Sequence, residues 1–584
     1  MSNALAVLLA LSSASAPEPA AVDTEHIRLE LTVDDTGRRI AGRAIETLRL
    51  PATSKLVELD AVGLEIRHVS RDDGRKLAFE VTPRSLRIQL DAPPTGGELT
   101  LAIDYATAPR RGVHFVSPGP RRPKLARQVW TSSWPEDARY WFPCHDQLAD
   151  KTTSELLLTV PKDWQAVSNG ALVETRTAGA SRVWHWKTDR PHSTYLISFV
   201  AGEYEEVREL GGHVPLSYFV YRGRADDARK TFARTPEMIR FFEAETAFDY
   251  PFPKFAQAIA ADFMFGGMEN VSAVTLADSA LLEPKARVDT SSDPLIAHEL
   301  AHQWWGDTVS PASWADVWLS EGFATFFADL WREHAEGEDA ASYARLKNAD
   351  AWLALDAEQR GRPVVFDDGG DPSRLLDANT YQKGSLVLGM LRQMLGDDVF
   401  RRGLQTFIGR FAFRSATTDD LERALEQAGG HELSWFFDEW LRKPGLPDLT
   451  VSWRWDADGK RVVLALRQAE NADGPARAFQ LPVTLVLVAP DGSAREERLF
   501  VERAQQEFSI PSPAAPASVV FDSGAYILKK LRFEKPLEEL AFDLTSAPTA
   551  ADRALAARGL GERGEPAIAG LSAALQRDRF WGVR

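Results

Sequence analysis

The spacing of apolar positions changes period several times along the chain. From residue 27 it is two: Ile27, Leu29, Leu31 and Val33 alternate with polar neighbours, as do Leu86, Ile88 and Leu90 and then Leu99, Leu101, Ile103 and Tyr105. Strand side chains alternate between faces, so these runs predict half-buried strands. Pro93, Pro94, Gly96 and Gly97 separate the last two runs, the punctuation expected between neighbouring antiparallel strands. Residues 22–205 therefore read as one N-terminal β domain. From about 225 the period becomes helical, over 226–246, 293–306, 316–335 and 381–395, which predicts a mainly helical domain across 206–443. Pro444, Gly445 and Pro447 end it. Strands return with Val451, Trp453 and Trp455, and with Val483, Leu485 and Leu487, each run closed by turn residues; 444–535 is expected to be a small β-sandwich. From 536 to 584 the pattern is helical again, with Pro566 opening a helix that carries the stripe Ile568, Leu571 and Leu575. Two short helices cannot bury such a stripe alone. The segment is expected either to begin a helical-repeat array that stops abruptly or to dock onto the helical domain.

Composition narrows the partners rather than the fold. With 584 residues, 44% hydrophobic and 26% charged, the chain is an ordinary multidomain α+β protein. Its 68 Lys+Arg against 84 Asp+Glu leave a net charge of −16, which repels phosphate backbones and argues against nucleic acid as a partner. No apolar run reaches the roughly 18 residues of a membrane span. Cys144 is the one cysteine, so an intrachain disulfide and a multi-cysteine metal site are both excluded, and any metal must sit on histidines and carboxylates. Residues 1–21 read as a leader: Ala4–Ala16 is apolar and ends in small residues like a signal-peptidase site, but no basic stretch precedes it. A cytoplasmic and an exported protein both remain open, as does the oligomeric state.

The chemistry concentrates in the second helical stretch. Ser292 stands as a cap residue, Pro294 in the first turn, and His298 and His302 follow at i and i+4, so both imidazoles project side by side and reach one zinc ion, with Glu299 beside the open coordination position. Two solvated helix histidines are the plain alternative. A catalytic zinc takes a third protein ligand and leaves a place for water. Glu321 supplies it, 321 − 302 = 19 positions on, within the apolar helix WLSEGFATFF (318–327), where an unpaired carboxylate would be costly to bury.

His-Glu-x-x-His followed by this glutamate resembles the gluzincin signature, and the wider text HELAHQWWGD (298–307) with WLSEGFATFF resembles the aminopeptidase N-like zinc metallopeptidases. Phe265-Gly266-Gly267-Met268-Glu269-Asn270 is similar to that family's exopeptidase motif, Tyr381-Gln382-Lys383-Gly384 to its catalytic tyrosine region, and ARYWFPC (138–144) to a marker of its β domain. The resemblance covers about residues 22–584 and implies a β-saddle domain, a thermolysin-like helical catalytic domain, a β-sandwich and helical repeats, in that order. It implies zinc on His298, His302 and Glu321, Glu299 as the general base for a metal-activated water, and Tyr381 as hydrogen-bond donor to the oxyanion. By itself a tyrosine opening an apolar helix is more often core. The same resemblance implies that Gly266, Gly267 and Met268 let an edge backbone approach the substrate, and that Glu269 takes the substrate's free α-ammonium. Without it, these residues read as a plain turn.

One departure stands out. Where the family has Gln-x-Glu as a second anchor for the ammonium, this chain has Ser132 and Trp134. Glu136 is close but out of register and is expected to be a surface residue; Cys144 is expected to be a small buried hydrophobe. The implied function is a zinc aminopeptidase acting on the N-terminal bond of peptides. The alternatives are a related peptidase tolerating blocked or internal sites, since Trp134 fills an anchoring position, and a non-catalytic scaffold.

Overall fold

The computed structural model describes residues 21–469 and 478–584, so the expected leader, apart from Ala21, lies outside the described residues. The N-terminal part is β-rich. Asp23–Asp34 pairs antiparallel with Arg39–Arg49 and parallel with Lys151–Pro161, placing Leu29 beside Leu156 and Leu31 beside Leu158 in a seven-stranded sheet. The predicted alternation holds there: Ile27, Leu29, Leu31 and Val33 are all buried. The two later runs are not neighbours, however. Ser85–Gln89 lies in a three-stranded sheet between Leu56–Asp60 and Ala78–Val81, whereas Glu98–Thr107 joins the seven-stranded sheet between Arg39–Arg49 and Glu65–Arg71. The Pro/Gly-rich turn carries the chain from one sheet to the other, anchored where Leu50 N–H donates to Gly97 O at 2.7 Å.

The middle of the chain opens with a sheet that periodicity missed. Tyr204–Gly211, Val214–Tyr221, Phe255–Ala260, Ala273–Ala277 and the short edge strand Gly267–Met268 form five strands in that order. Every residue of Phe255–Ala260 is buried, so both faces are covered and no alternation remains to be read. The helix expected over 226–246 is two, Ala225–Thr231 and Thr235–Thr246, with Pro236 in the first turn of the second. The remaining helices of this part include Asp293–Ala301, Trp318–Glu336, Glu338–Leu353 and Gly384–Leu395. Asp293–Ala301 packs along Trp318–Glu336, which also packs against Gly384–Leu395.

Beyond 444, two sheets share one core, with Leu449, Val451, Val462 and Leu464 from one meeting Leu481, Val483 and Leu485 from the other. The last helices are Leu537–Ser546, Ala550–Gly561 and Ile568–Arg577. Ala551 and Ala554 pack on Leu346 of the helix Glu338–Leu353, and Arg553 and Arg558 pair with Asp339 and Asp350 at 3.1 and 2.6 Å. Through these contacts the segment docks onto the helical part of the chain. Of the stripe, Leu571 packs toward Leu540, Leu544 and Leu560, while Ile568 and Leu575 are 58% and 61% exposed.

Candidate active site

The helix Asp293–Ala301 begins differently from the expectation: Ser292 Oγ donates to Ala280 O at 2.7 Å instead of capping, and the Asp293 N–H is met by Ser291 Oγ at 3.1 Å. One turn apart on this helix and its C-terminal extension, His298 Nε2 and His302 Nε2 lie 3.2 Å from each other, and Glu321 Oε2 lies 3.3 Å from both. Ligands at about 2.0–2.1 Å on a tetrahedral zinc are separated by about 3.3–3.4 Å, the edge of that tetrahedron. The three atoms thus stand at the spacing of one face of such a tetrahedron and could hold a metal ion. Glu321 Oε2 is buried without a hydrogen bond of proper geometry although two imidazole nitrogens face it, which fits a cation between them better than a proton. The other nitrogen of His302, Nδ1, lies 3.1 Å from Trp305 O; donating there leaves Nε2 unprotonated and aimed at the cluster.

Charge in the pocket is one-sided. Glu269, Glu299, Asp307 and Glu321 are all buried, faced by His302 and, at Asp307, by Lys151. Burial pushes Glu299 and Asp307 well above the ordinary carboxylate range and raises Glu269. At Glu321 burial is outweighed by the facing imidazoles of His302 and His298, which hold its pKa low. A divalent metal and a substrate ammonium are the chemical complement of such a set.

The edge strand runs beside this helix. A Cβ on Gly267 would overlap the Glu299 carboxyl group, and one on Gly266 would come within 3.2 Å of Leu295 Cδ1. Gly267 is therefore needed first to admit Glu299, not only to bring backbone close to a ligand. Gln303 closes the other end: its Nε2 donates to Glu269 O at 3.1 Å and to Asp307 Oδ2 at 2.8 Å, while its Oε1 accepts from Ser272 N–H at 2.8 Å. Glu269 Oε1 accepts from the Tyr195 hydroxyl at 3.0 Å.

Gly266, Gly267, Met268 and Glu269 share a cavity of about 430 Å³ with the three expected ligands, Glu299, Tyr381 and Trp134. All the residues singled out by sequence converge there. Tyr381 sits in a π-helical turn, Asn379–Lys383, immediately before Gly384–Leu395, with its ring 6.0 Å from that of His298 and 14° from parallel. Burial, and then Glu321, push its hydroxyl well above the usual phenol range, so it keeps its proton and can donate it in a hydrogen bond. Trp134 packs edge-on against Trp314 at 5.4 Å, and Trp314 in turn lies 6.3 Å from Tyr195. Glu136 is half-exposed, and it is engaged on its inner side. It accepts from Trp314 Nε1 at 3.2 Å and pairs with Arg139 at 2.9 Å, which holds this aromatic wall in place. Cys144 is fully buried, as expected.

Sequence reasoning missed Tyr195, Trp314 and Asp329, which also lines the cavity. Tyr195 is 269 − 195 = 74 positions from its partner, and nothing local marks it. Gln303 and Asp307 stood inside the recognised motif without an assigned role.

Comparison with known families agrees with this geometry. Residues 23–196 match the peptidase M1 N-terminal domain and residues 231–440 the peptidase family M1 domain. The chain belongs to the peptidase M1 family, that of the aminopeptidase N-like gluzincins. Both matched stretches of this M1 chain contribute to the cavity, the first through Trp134, the second through the remaining lining residues. Among similar proteins are aminopeptidase M1 of Arabidopsis thaliana, 29% identical over 68% of this chain and 43% of its own length, and the puromycin-sensitive aminopeptidase of Caenorhabditis elegans, 30% identical over 66% and 42%. A probable aminopeptidase 2 of Sulfurisphaera tokodaii is 26% identical over 85% of this chain and 62% of its own. The M1 chain spans about half the length of the relatives it matches.

Proposed function

We propose that this protein is a zinc-dependent aminopeptidase that hydrolyses the N-terminal peptide bond of peptides. The observation that carries the reading is a buried carboxylate, Glu269, sharing one cavity with the face of a zinc tetrahedron made by His298, His302 and Glu321. A free α-ammonium held at Glu269 stops the substrate one residue short of the metal, so only the first peptide bond reaches it. Zinc held by those three residues supplies Lewis acidity at the reacting carbonyl and water. Glu299 accepts the proton of the attacking water and returns it to the leaving amine nitrogen. Tyr381 donates a hydrogen bond to the oxygen of the carbonyl as negative charge develops on it. The edge backbone at Gly266–Met268 positions the extended substrate. These groups need no second cofactor.

Trp134 favours a second reading. An indole in place of a second carboxylate leaves the amine with a single anionic anchor, and tolerance of N-blocked peptides follows. A scaffold role finds no support in a pocket lined by three buried carboxylates, Glu269, Glu299 and Glu321, at considerable cost. Paired free and N-acetylated peptides, with and without a zinc chelator, separate the readings. Chelator-sensitive cleavage of the free-amine series alone is expected. Equal cleavage of both series would favour the second reading, and chelator-insensitive cleavage would overturn the zinc mechanism.

A further inference from the structure

One carboxylate in the cavity has no part in the chemistry described above. Asp329 lies on the same helix as Glu321, at 329 − 321 = 8 positions on, and Glu321, Thr325, Ala328 and Asp329 present one face to the cavity. The order of contacts gives the direction of the bound chain. Glu269, at the amine end, lies beside Gln303; Gly267 lies beside Glu299; Gly266 lies beside Leu295, one turn nearer the start of that helix. A substrate whose ammonium is at Glu269 and whose first carbonyl is at the metal face therefore continues toward Leu295, Ala328 and Asp329. Asp329 stands about 12 Å further along the helix axis than Glu321, at 1.5 Å per residue. Of the natural side chains, lysine and arginine on the residue following the scissile bond reach furthest along that direction and end in a cation.

The carboxylate is prepared for a cation. Its Oδ2 accepts from Asn348 Nδ2 at 2.8 Å and from Ser385 Oγ at 3.3 Å, which fixes the group, while no donor among the described residues bonds to Oδ1. Arg332 and Arg345 act on it from a distance without bonding to it, since Arg345 is committed to Gly524 O and Glu338. Thr325 turns its hydroxyl back to Glu321 O at 2.8 Å, and Ala328 is small, so neither obstructs the path. We propose that Asp329 is a specificity-determining residue that selects a basic side chain, lysine or arginine, at the position immediately after the scissile bond. This rests on the aminopeptidase reading given above.

The test is the ratio of kcat/KM for Ala-Lys-Ala against Ala-(Nε-acetyl-Lys)-Ala, which differ in charge and hardly in length, with Ala-Leu-Ala and Ala-Glu-Ala alongside. For the unaltered protein we expect the lysine peptide to be preferred over its acetylated form by about tenfold, the value of a charge-assisted bond, with the glutamate peptide the poorest. Asp329→Asn should bring the ratio close to one, while Asp329→Glu, which keeps the charge, should retain most of it. A ratio near one in the unaltered protein overturns the proposal without needing any variant to fold. So does a ratio that Asp329→Asn leaves unchanged. Cleavage of all four peptides with a flat ratio would leave the aminopeptidase reading standing, whereas cleavage of none would remove both.

Discussion

Gly322 and Gly384 meet backbone to backbone. A Cβ on Gly384 would lie 3.0 Å from Gly322 Cα, and one on Gly322 would lie 3.1 Å from both Gly384 Cα and Thr380 O. Gly322 directly follows Glu321, and Gly384 closes the π-helical turn that carries Tyr381. This contact sets how closely the tyrosine approaches the metal-facing carboxylate. A single methyl group should therefore separate catalysis from metal binding. Gly384→Ala is expected to destabilise the protein by about 1–3 kcal/mol through overpacking, to keep its zinc, and to lose turnover by about tenfold or more. Zinc content by atomic absorption beside kcat checks this; unchanged kcat would show that the contact does not position Tyr381.

Glu299→Gln should keep close to one zinc per chain, because His298, His302 and Glu321 are untouched, and should lower kcat by about 10² or more through loss of the proton acceptor. Gln also fits the space that Gly267 leaves, so the fold should be preserved. Near-normal turnover with full zinc would place the base elsewhere.

Glu269 and Trp134 are coupled through a wall of rings. Glu269→Gln should raise KM for free-amine peptides steeply, since no second carboxylate occupies the position of Trp134. Trp134→Glu should increase the ratio of free-amine to N-acetylated cleavage, because a charge-assisted bond to an ammonium exceeds the roughly 0.5–2 kcal/mol of a cation–π contact. It should also lower stability by about 3–5 kcal/mol, since Trp134 supports Trp314 and Trp314 flanks Tyr195. An unchanged substrate ratio in a folded Trp134→Glu protein would mean that position 134 does not face the amine.

Stability should depend on pH through Lys254, which does not line the active-site cavity. Its Nζ is buried and donates to Ser168 O at 2.8 Å and to Ser272 O and Oγ at 3.1 Å, and burial lowers its pKa from 10.5 to about 7. Between pH 7 and 10.5 the unfolded chain holds a proton that the folded chain has lost. Stability therefore rises with pH across that window, by up to about 1.4 kcal/mol per pH unit for one proton. Below pH 7 both states are protonated and the contribution is flat. Lys254→Met should reduce the rise in denaturation midpoint between pH 7 and 10, leaving the part due to Lys151 and Lys383, also lowered by burial to about 7. An identical pH profile in the variant would show that Lys254 stays protonated in the fold.

Several features that rest on short-range spacing were legible in the residues alone, although the cap at Ser292 and the single helix over 226–246 were not. The i, i+4 pair His298 and His302, the apolar helix around Glu321, the alternation at Ile27–Val33 and the order of β-rich, helical and β-rich regions all follow from periodicity or from a contiguous motif. The features that were not legible depend on contacts between distant segments. The strand Phe255–Ala260 shows no period because both its faces are covered. Ser85–Gln89 and Glu98–Thr107 separate because pairing between strands is chosen by the whole sheet, not by the turn that joins them. Tyr195 reaches Glu269 across 74 positions, Glu136 anchors the ring of Trp314, and Gly267 proves necessary to Glu299. The reason is physical: local backbone preference places neighbours on a helix face, whereas the close approach of two backbones, or of a buried hydroxyl to a buried carboxylate, exists only once the chain has packed.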